Sequence, residues 1–378
     1  MSKNLKIAFV IDDSLDRPDG VQQHVLTVGK WLNERGHQVD YLTSTTQRQD
    51  LPGVYSLAQN LRLRFNGNRL GIPMLAKKKR LLKLLRQQNY DIIHVQMPYS
   101  PLLAGRIIKF NQSAKVVGTF HILPWSKLTR LGTKLLGRFQ EKQLTQFSKI
   151  ISVSEPAREF AHWALGVESE VIANPFEIEK FSSARIGPRS DAPTPNNPVR
   201  IVFLGRLVER KGARALILAV KRLQELGGLP VAVVIAGRGP QLGDLEKLVV
   251  RLGMQETVSF SGFVAEEDKA ALLAGADIVA LPSSAGESFG ISVVEALAAT
   301  RGVVIAGDNP GYRTVMAGFE ENLIDPYNTE AFAKLLYRHV TDQVQRAVYS
   351  RRQLKAAARF DISEVGPQLE QVYYRSLG

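Results

Sequence analysis

The stretch 200-RIVFLGRLVERKG-212 contains the pattern that decides the fold. A short β-branched apolar run ends at Leu204, Gly205 turns the chain, and a helix-like stretch follows. The same pattern occurs near the start, where the run 6–11 is followed by a glycine turn and helical periodicity over 21–32. Short apolar runs that alternate with helical patterns are typical of parallel sheets covered on both faces.

Ten such runs fall into two sets, and each set predicts one sheet. The first set is 6–11, 39–42, 91–95, 115–119 and 150–153, and the second is 200–204, 231–236, 258–260, 277–281 and 303–306. We predict an α/β protein of two doubly wound, Rossmann-like domains over 1–181 and 199–360, a proline-rich linker over 182–198, and a segment 361–378 that returns to the N-terminal domain. Ligands of such sheets bind at the carboxyl ends of the strands, so we expect a cleft between the domains.

Composition excludes several classes of protein. The chain has 378 residues, of which 44% are hydrophobic and 22% charged, as in a soluble enzyme of two domains. It has no cysteine, which excludes a disulfide framework, thiolate zinc sites, iron–sulfur clusters and a cysteine nucleophile. The absence of a long apolar run and of a secretory signal pattern predicts a cytoplasmic protein. No His, Asp and Glu cluster at metal-ligand spacing, so we expect no metal.

The positive charge is concentrated in one domain. The chain carries a net charge of +13, and residues 51–149 hold eighteen basic residues against two acids, Asp91 and Glu141. A one-sided basic field favours a polyanionic partner, either nucleic acid or an anionic membrane. The alternative is that the charge serves solubility alone.

The stretch 75-LAKKKRLLKLLRQQ-88 predicts a basic amphipathic helix. Its leucines fall on one side, which we expect to pack on the sheet. The candidate membrane-contacting residues are its cations, Lys77, Lys78, Lys79, Arg80, Lys83 and Arg86. A nucleic-acid-binding protein remains the alternative from another class, although the aromatic residues of 51–149 form no stacking cluster of the kind that RNA-binding sheets use.

Two glycine turns are candidate phosphate sites. Gly20 lies between the first strand and its helix, where backbone N–H groups approach an anion closely. Arg206 and Lys211 follow the first strand of the second domain, and a guanidinium with an ammonium there suits a diphosphate. The alternatives are an unliganded turn and a solvated charge cluster.

The stretch 286-GESFGISVVEALA-298 predicts a loop followed by a helix. Glu287 could accept hydrogen bonds from sugar hydroxyls, and Glu295 could accept them from a ribose; the alternative for Glu295 is a solvated helical glutamate. The loop between them again presents backbone N–H groups at a helix start. In 118-GTFHILP-124, His121 follows a strand closely and is a candidate polar residue of the cleft, or alternatively a buried structural histidine.

Taken together, these stretches resemble the family 4 retaining glycosyltransferases, which have the GT-B fold. The most specific marker is the pair Glu287 and Glu295 with GESFG intact. The stretches 18-PDGVQQHVL-26, 91-DIIHVQMPYSP-101 and 118-GTFH-121 are similar to bacterial phosphatidylinositol α-mannosyltransferases. That resemblance implies GDP-mannose as the donor, an inositol phospholipid of the inner membrane face as the acceptor, and no cofactor.

The resemblance also implies roles for individual residues. The catalytic group would be His121, Arg206, Lys211 and Glu287. The donor would be bound by Gly20, Arg206, Lys211, Glu287, Ser288, Phe289, Gly290 and Glu295, and the acceptor by Gln22, Arg64, Asn66, Gly67, Arg69 and His121. The chain departs from the family pattern at Asp19, where a second glycine is usual, at Asn174-Pro175 and at 300-TRG-302.

Other reactions remain open at this point. The donor could be UDP-glucose, with another glycolipid or a soluble sugar as the acceptor. A sugar-nucleotide epimerase would share the fold, but it needs no lipid and therefore no basic helix. The residues do not identify the nucleotide base, and the oligomeric state is not predicted.

Overall fold

The chain divides into two compact units. The computed structural model describes residues 3–16, 19–48, 50–65, 68–73, 76–188, 191–227 and 229–378, with the backbone alone over 60–65 and 68–73. Unit 1 is Met1–Phe176 with Ile362–Gly378, and unit 2 is Glu177–Asp361. The segment 182–198, which was predicted to link the domains, lies inside unit 2, where Arg185 donates a hydrogen bond to the Ser350 carbonyl oxygen (2.6 Å).

Unit 1 contains a seven-stranded parallel sheet with the order β3-β2-β1-β6-β7-β8-β9. Its strands are β1 (Lys6–Val10), β2 (Gln38–Ser44), β3 (Val54–Ala58), β6 (Ile92–Val95), β7 (Lys115–Phe120), β8 (Phe147–Ser152) and β9 (Glu170–Val171). A separate antiparallel hairpin consists of β4 (Asn60–Phe65) and β5 (Asn68–Pro73).

Helices cover both faces of this sheet. They are α1 (Gly20–Glu34), α2 (Lys78–Gln88), α3 (Leu103–Phe110), α4 (Lys127–Phe139), α5 (Glu141–Leu144), α6 (Glu155–Leu165) and α15 (Ile362–Leu377). Successive residues of β1 bury their side chains in different layers, because neighbouring residues of a strand point to opposite faces. Ile7 and Phe9 belong to one core cluster, and Ala8 and Val10 to the other.

Unit 2 contains a six-stranded parallel sheet with the order β12-β11-β10-β13-β14-β15. Its strands are β10 (Val199–Leu204), β11 (Val231–Ala236), β12 (Val258–Gly262), β13 (Ile278–Leu281), β14 (Val303–Gly307) and β15 (Leu323–Ile324). Its helices are α7 (Ile178–Ser182), α8 (Ala213–Glu225), α9 (Leu242–Arg251), α10 (Lys269–Ala274), α11 (Ile291–Ala299), α12 (Pro310–Val315), α13 (Thr329–Thr341) and α14 (Gln343–Ala357).

The prediction of two doubly wound α/β sheets is confirmed, and each of the ten apolar runs forms a strand. In unit 1 the strand order reverses between β1 and β6, and in unit 2 between β10 and β13. Ligands of open parallel sheets bind beyond the carboxyl ends of the strands at such a reversal. The loops after β1, β10 and β13 are therefore the places to look for a site.

The C-terminal helix α15 completes unit 1. Tyr373 is buried, and its Oη lies 2.8 Å from Nδ1 of His94 in the central strand β6. Glu370 accepts a hydrogen bond from Arg35 (3.0 Å) and lies 2.8 Å from His37 Nε2. Polar contacts at two places on α15 therefore tie it to distant parts of unit 1.

Candidate functional site

The loops after β10 and β13 meet in unit 2. These two strands are paired neighbours, so the turn that follows Leu204 and the loop that follows Leu281 begin side by side. Gly212 precedes α8 as its N-cap with φ +78°, and a Cβ there would lie 2.2 Å from the Pro282 carbonyl oxygen. Only a glycine permits this approach, which holds the two loops together.

A cluster of charged side chains occupies this junction. Oε1 of Glu287 accepts from Arg210 Nη1 (2.7 Å) and Ser283 Oγ (2.8 Å), and it lies 2.9 Å from Lys211 Nζ. We call these four residues the Glu287 cluster. Burial raises the pKa of Glu287, but the charges of Lys211 and Arg210 outweigh it and hold the pKa below its usual value. The carboxylate is therefore ionised and tied to two cations.

The sequence analysis placed Lys211 and Glu287 in this site and missed Arg210. Arg210 was given no role from the sequence, although its guanidinium is mostly buried against Glu287. Arg206, predicted to act with Lys211, lies at the same strand end with an exposed side chain. The sequence does place the two adjacent cations Arg210 and Lys211 after β10 and an acid, Glu287, after β13. That these residues meet follows only from the pairing of β10 with β13.

The loop over 286–290 presents its backbone at the start of α11. Gly290 precedes the helix with φ +112°, and a Cβ there would lie 2.6 Å from the Tyr312 ring. Phe289, which was predicted to bind the donor, has its side chain in the core, where its ring meets Phe360 edge to face at 5.2 Å. Its side chain therefore anchors the loop in the core, and the assignment of Phe289 to donor binding stays a prediction. Ser288 lies beside it, partly exposed.

Glu295 is buried in unit 2, unlike the solvated glutamate that is usual on a helix. It is buried in α11, and its Oε1 is 3.4 Å from Lys269 Nζ, which also contacts Glu266 (2.6 Å). Burial raises the pKa of Glu295, and the charge of Lys269 opposes this rise. The contact of Glu295 with a ribose stays a prediction, and Lys269 is a neighbour that the sequence analysis did not name.

In unit 1, His121 lies at the carboxyl end of β7 and is buried. Its Nε2 is 2.8 Å from Oε1 of Gln96, so Nε2 carries the proton and donates it. The ring of His24 meets His121 edge to face at 4.9 Å, and Nδ1 of His24 lies 3.0 Å from Asn174 Oδ1. The sequence alone assigned no role in the site to His24, Gln96 or Asn174.

Burial sets the protonation of this histidine pair. Desolvation lowers the pKa of His24 to about 4 and the pKa of His121 well below its usual range. Both imidazoles are therefore neutral at pH 7. A neutral His121 whose Nε2 proton is engaged by Gln96 keeps an Nδ1 lone pair as a hydrogen-bond acceptor.

The other predicted residues of unit 1 lie in several places. Gly20 is the exposed first residue of α1, preceded by Asp19 at the N-cap. Gln22 is buried, and its side chain donates to the Ser14 carbonyl oxygen (3.2 Å). Arg64 and Arg69 face each other in register on the hairpin, where the backbone alone is described, and Asn66 and Gly67 lie outside the described residues.

The basic helix α2 has the arrangement that its sequence predicts. Leu81 and Leu84 are buried on unit 1. The cations are exposed, and they are Lys77, Lys78, Lys79, Arg80, Lys83 and Arg86. Among the described residues, no three His, Asp or Glu side chains cluster as metal ligands would, and no helix is long and apolar enough to cross a membrane.

Two family models match the chain. Residues 18–180 match the model described as Glycosyltransferase Family 4, and residues 189–359 match Glycosyl transferases group 1.

Curated relatives match over almost the whole length. The chain is 31% identical over 376 residues to the phosphatidyl-myo-inositol mannosyltransferase of Mycolicibacterium smegmatis, covering 98% of this chain and 93% of that protein. The protein of the same name from Mycobacterium leprae is 32% identical, with 98% and 96% covered. The alpha-monoglucosyldiacylglycerol synthase of Streptococcus pneumoniae is 24% identical, with 80% and 71% covered.

Solved structures share the fold. A glycosyltransferase from Rickettsia africae superposes with a TM-score of 0.77 at 17% identity, covering 100% of this chain and 99% of that chain. Anabaena HepE in complex with UDP and glucose superposes with a TM-score of 0.76 at 21% identity, covering 98% and 100%.

Proposed function

The chain belongs to the GT-B glycosyltransferases of family 4 that include the phosphatidyl-myo-inositol mannosyltransferases, and from this membership we propose that it transfers a hexose from a nucleotide sugar to a membrane phospholipid. The donor proposed is GDP-mannose, and the acceptor is a hydroxyl of phosphatidylinositol. The enzyme works at the cytoplasmic face of the membrane, which it contacts peripherally. The α configuration of the sugar is retained.

The Glu287 cluster is the observation that carries the proposal. It lies at the reversal of strand order in unit 2, where open sheets bind ligands. The two positive charges of Arg210 and Lys211 outnumber the one negative charge of Glu287. Arg206 adds a third cation after the same strand, β10. A diphosphate needs such an excess of positive charge, with the N–H groups at the start of α11 as further donors.

The proposed reaction breaks the bond between the sugar's anomeric carbon and the diphosphate oxygen. Negative charge grows on the leaving diphosphate, and Lys211 with Arg206 neutralises it. The acceptor oxygen forms a new bond to the same face of the anomeric carbon. Its proton passes to the departing phosphate oxygen, so no protein base and no metal is required. The sugar's hydroxyls are held by Glu287, whose ionised carboxylate accepts hydrogen bonds.

His121 orients the transferred sugar in this proposal. Its neutral ring keeps an Nδ1 lone pair, because Gln96 engages the proton on Nε2. A sugar hydroxyl donates to that lone pair. A neutral ring also avoids placing a fixed positive charge beside the anomeric carbon, where positive charge develops during transfer.

The lipid acceptor is supported by charge and by the relatives. Five cations of α2 and its N-cap Lys77 are exposed while Leu81 and Leu84 are buried, which suits attraction to anionic lipid. Relatives at 31% and 24% identity carry names that specify lipid acceptors. Gln22, Arg64, Asn66, Gly67 and Arg69 remain the proposed contacts to the acceptor's polar head.

A second candidate is a UDP-glucose-dependent transferase that acts on another glycolipid. The similarity to alpha-monoglucosyldiacylglycerol synthase favours it. A thermal-shift panel with GDP, UDP, GDP-mannose and UDP-glucose separates the two donors, because a ligand that binds only the folded state raises the melting temperature.

Transfer itself is then measured with radiolabelled donor and vesicles that contain phosphatidylinositol or diacylglycerol. The proposal expects label in the phosphatidylinositol fraction from GDP-mannose. Label only in glycosyl diacylglycerol would select the second candidate, and the absence of label in any lipid would contradict both.

A further inference from the structure

Helix α4 exposes an apolar stripe. Its members are exposed by between 54% and 80% of their surface, and they are Leu128, Leu131, Leu135 and Phe139. At about 100° per residue they fall within an arc of about 80° on one side of the helix. Trp125, also exposed, lies just before the helix. We call these five residues the α4 stripe.

The α4 stripe does not hold the helix on unit 1. The opposite side does so, through the buried residues Thr133 and Gly137. A Cβ added at Gly137 would lie 2.6 Å from the Ala164 carbonyl oxygen of α6, so the two helices touch backbone to backbone there. Ser126 caps the helix by accepting from the Thr129 N–H (3.1 Å). The helix is therefore anchored while its most apolar side faces outward.

The charge beside the α4 stripe identifies the partner. The helix contains Lys127, Arg130, Lys134 and Arg138 and no acidic residue. Arg130 and Lys134 stack over the Trp163 ring at 5.2 and 4.6 Å, which fixes them along one flank. A second copy of the helix would bring four cations against four, which opposes self-association. An apolar stripe flanked by cations complements an anionic bilayer surface.

We propose that α4 lies in the membrane interface with the α4 stripe among the acyl chains and its cations at the lipid phosphates. This inference rests on the proposed function, which needs the enzyme at a lipid surface. It assigns a different part to each helix. The cations of α2 attract the protein to the membrane, while Leu81 and Leu84 of that helix are buried on unit 1, and α4 supplies the apolar insertion.

The absence of cysteine permits a direct test of depth. Leu131→Cys and Val344→Cys are each labelled with an environment-sensitive fluorophore. Val344 is a matched control, exposed by 77% on α14 of unit 2. With vesicles of equal parts phosphatidylglycerol and phosphatidylcholine, the label at 131 should shift to the blue and the label at 344 should not. An unshifted label at 131 on protein that has sedimented with the vesicles overturns the proposal.

A second pair of variants measures the contribution to binding. Leu128→Gln with Leu131→Gln should weaken binding to the same vesicles by more than about tenfold, since two leucines no longer enter the acyl region. The control, Val250→Gln with Val344→Gln, should bind like the parent chain. Both pairs should keep the parent melting temperature and its shift with GDP, because all four side chains are exposed.

The remaining outcomes are also decisive. The proposal is overturned if the Leu128→Gln, Leu131→Gln variant binds vesicles as tightly as the parent chain. It is also overturned if sedimentation equilibrium without lipid shows a dimer that is lost in this variant of the α4 stripe. Blue-shifted insertion at residue 131 without glycosyl transfer to any lipid supports the role of α4 and contradicts only the proposed reaction.

Discussion

Lys211 and Glu287 lie 76 positions apart in the sequence and 2.9 Å apart in unit 2, where Lys211 Nζ meets Glu287 Oε1. The pairing of β10 with β13 brings them together. Burial lowers the pKa of Lys211, but the charge of Glu287 outweighs it and raises the pKa above its usual value. The ammonium is therefore charged at every pH at which the enzyme would work.

Replacing Lys211 should abolish most of the transferase activity. Lys211→Ala removes a fixed positive charge from the leaving diphosphate, and we expect kcat/KM to fall by about 100-fold or more. The control is Lys247→Ala, an exposed lysine of α9, which should stay within about twofold of the parent chain. Steady-state kinetics with GDP-mannose checks both, and parent-like activity of Lys211→Ala would remove the residue from the site.

We expect different roles for two arginines of the site: Arg210 positions Glu287, and Arg206 binds the donor. Arg210→Ala leaves a buried carboxylate with fewer partners, so we expect a loss of about 2 kcal/mol in the free energy of unfolding. Arg206→Ala should cost less stability and weaken the binding of GDP more. Urea unfolding and calorimetric GDP titrations of both variants test this, and Arg210→Lys should restore part of the stability. The reverse ranking would exchange the two roles.

The buried His24 should make stability depend on pH. Its pKa is about 4 in the folded chain against 6.5 when unfolded, so below pH 6.5 the unfolded state binds a proton that the folded state does not. Its contribution to stability is therefore complete above pH 6.5 and is lost as the pH falls toward 4, by about 1.4 kcal/mol per pH unit. His24→Gln should flatten the slope of unfolding free energy between pH 4.5 and about 6.

The matched control for this slope is His162→Gln, because His162 is exposed on α6. It should keep the parent slope. If His24→Gln retains the full parent slope while His162→Gln reduces it, the burial of His24 is not the cause.

The cations of α2 should govern attraction to anionic lipid. Replacing Lys79, Arg80, Lys83 and Arg86 by glutamine removes about 1 kcal/mol of attraction per charge, so vesicle affinity should fall by about 1,000-fold at low salt. The control replaces four exposed cations of unit 2, Lys247, Arg251, Lys334 and Lys355. Donor binding should be unchanged in both variants. Co-sedimentation at several salt concentrations measures the effect, and equal loss in both variants would indicate a response to net charge alone.

The sequence predicted the central strands because continuous apolar runs mark strands buried on both faces. It missed the edge strand β3, and it missed β9 and β15, which have two residues each and carry too little pattern. It also missed the hairpin of β4 and β5, although the Asn66-Gly67 pair between them is a strong hairpin signal. That pair had been assigned to acceptor binding.

The loops that carry the site could be predicted from the sequence, but the contacts between their side chains could not. Lys211 and Glu287 follow strands, and strand ends are readable from the sequence. The contact of Arg210 with Glu287 depends on the adjacency of β10 and β13, which the order of the chain does not reveal. The burial of the Phe289 ring was not readable from its loop position, because it depends on the core around Phe360. The partner of His121 likewise depends on the neighbouring strand, since Gln96 directly follows β6.

The return of α15 to unit 1 has a consequence for how the protein is made on the ribosome. Unit 2 is one continuous stretch, whereas the sheet of unit 1 waits for a helix that is translated after the whole of unit 2. Until then His94 lacks Tyr373, and His37 lacks Glu370. A premature stop codon after Asp361 would therefore damage the half of the molecule that was synthesised first.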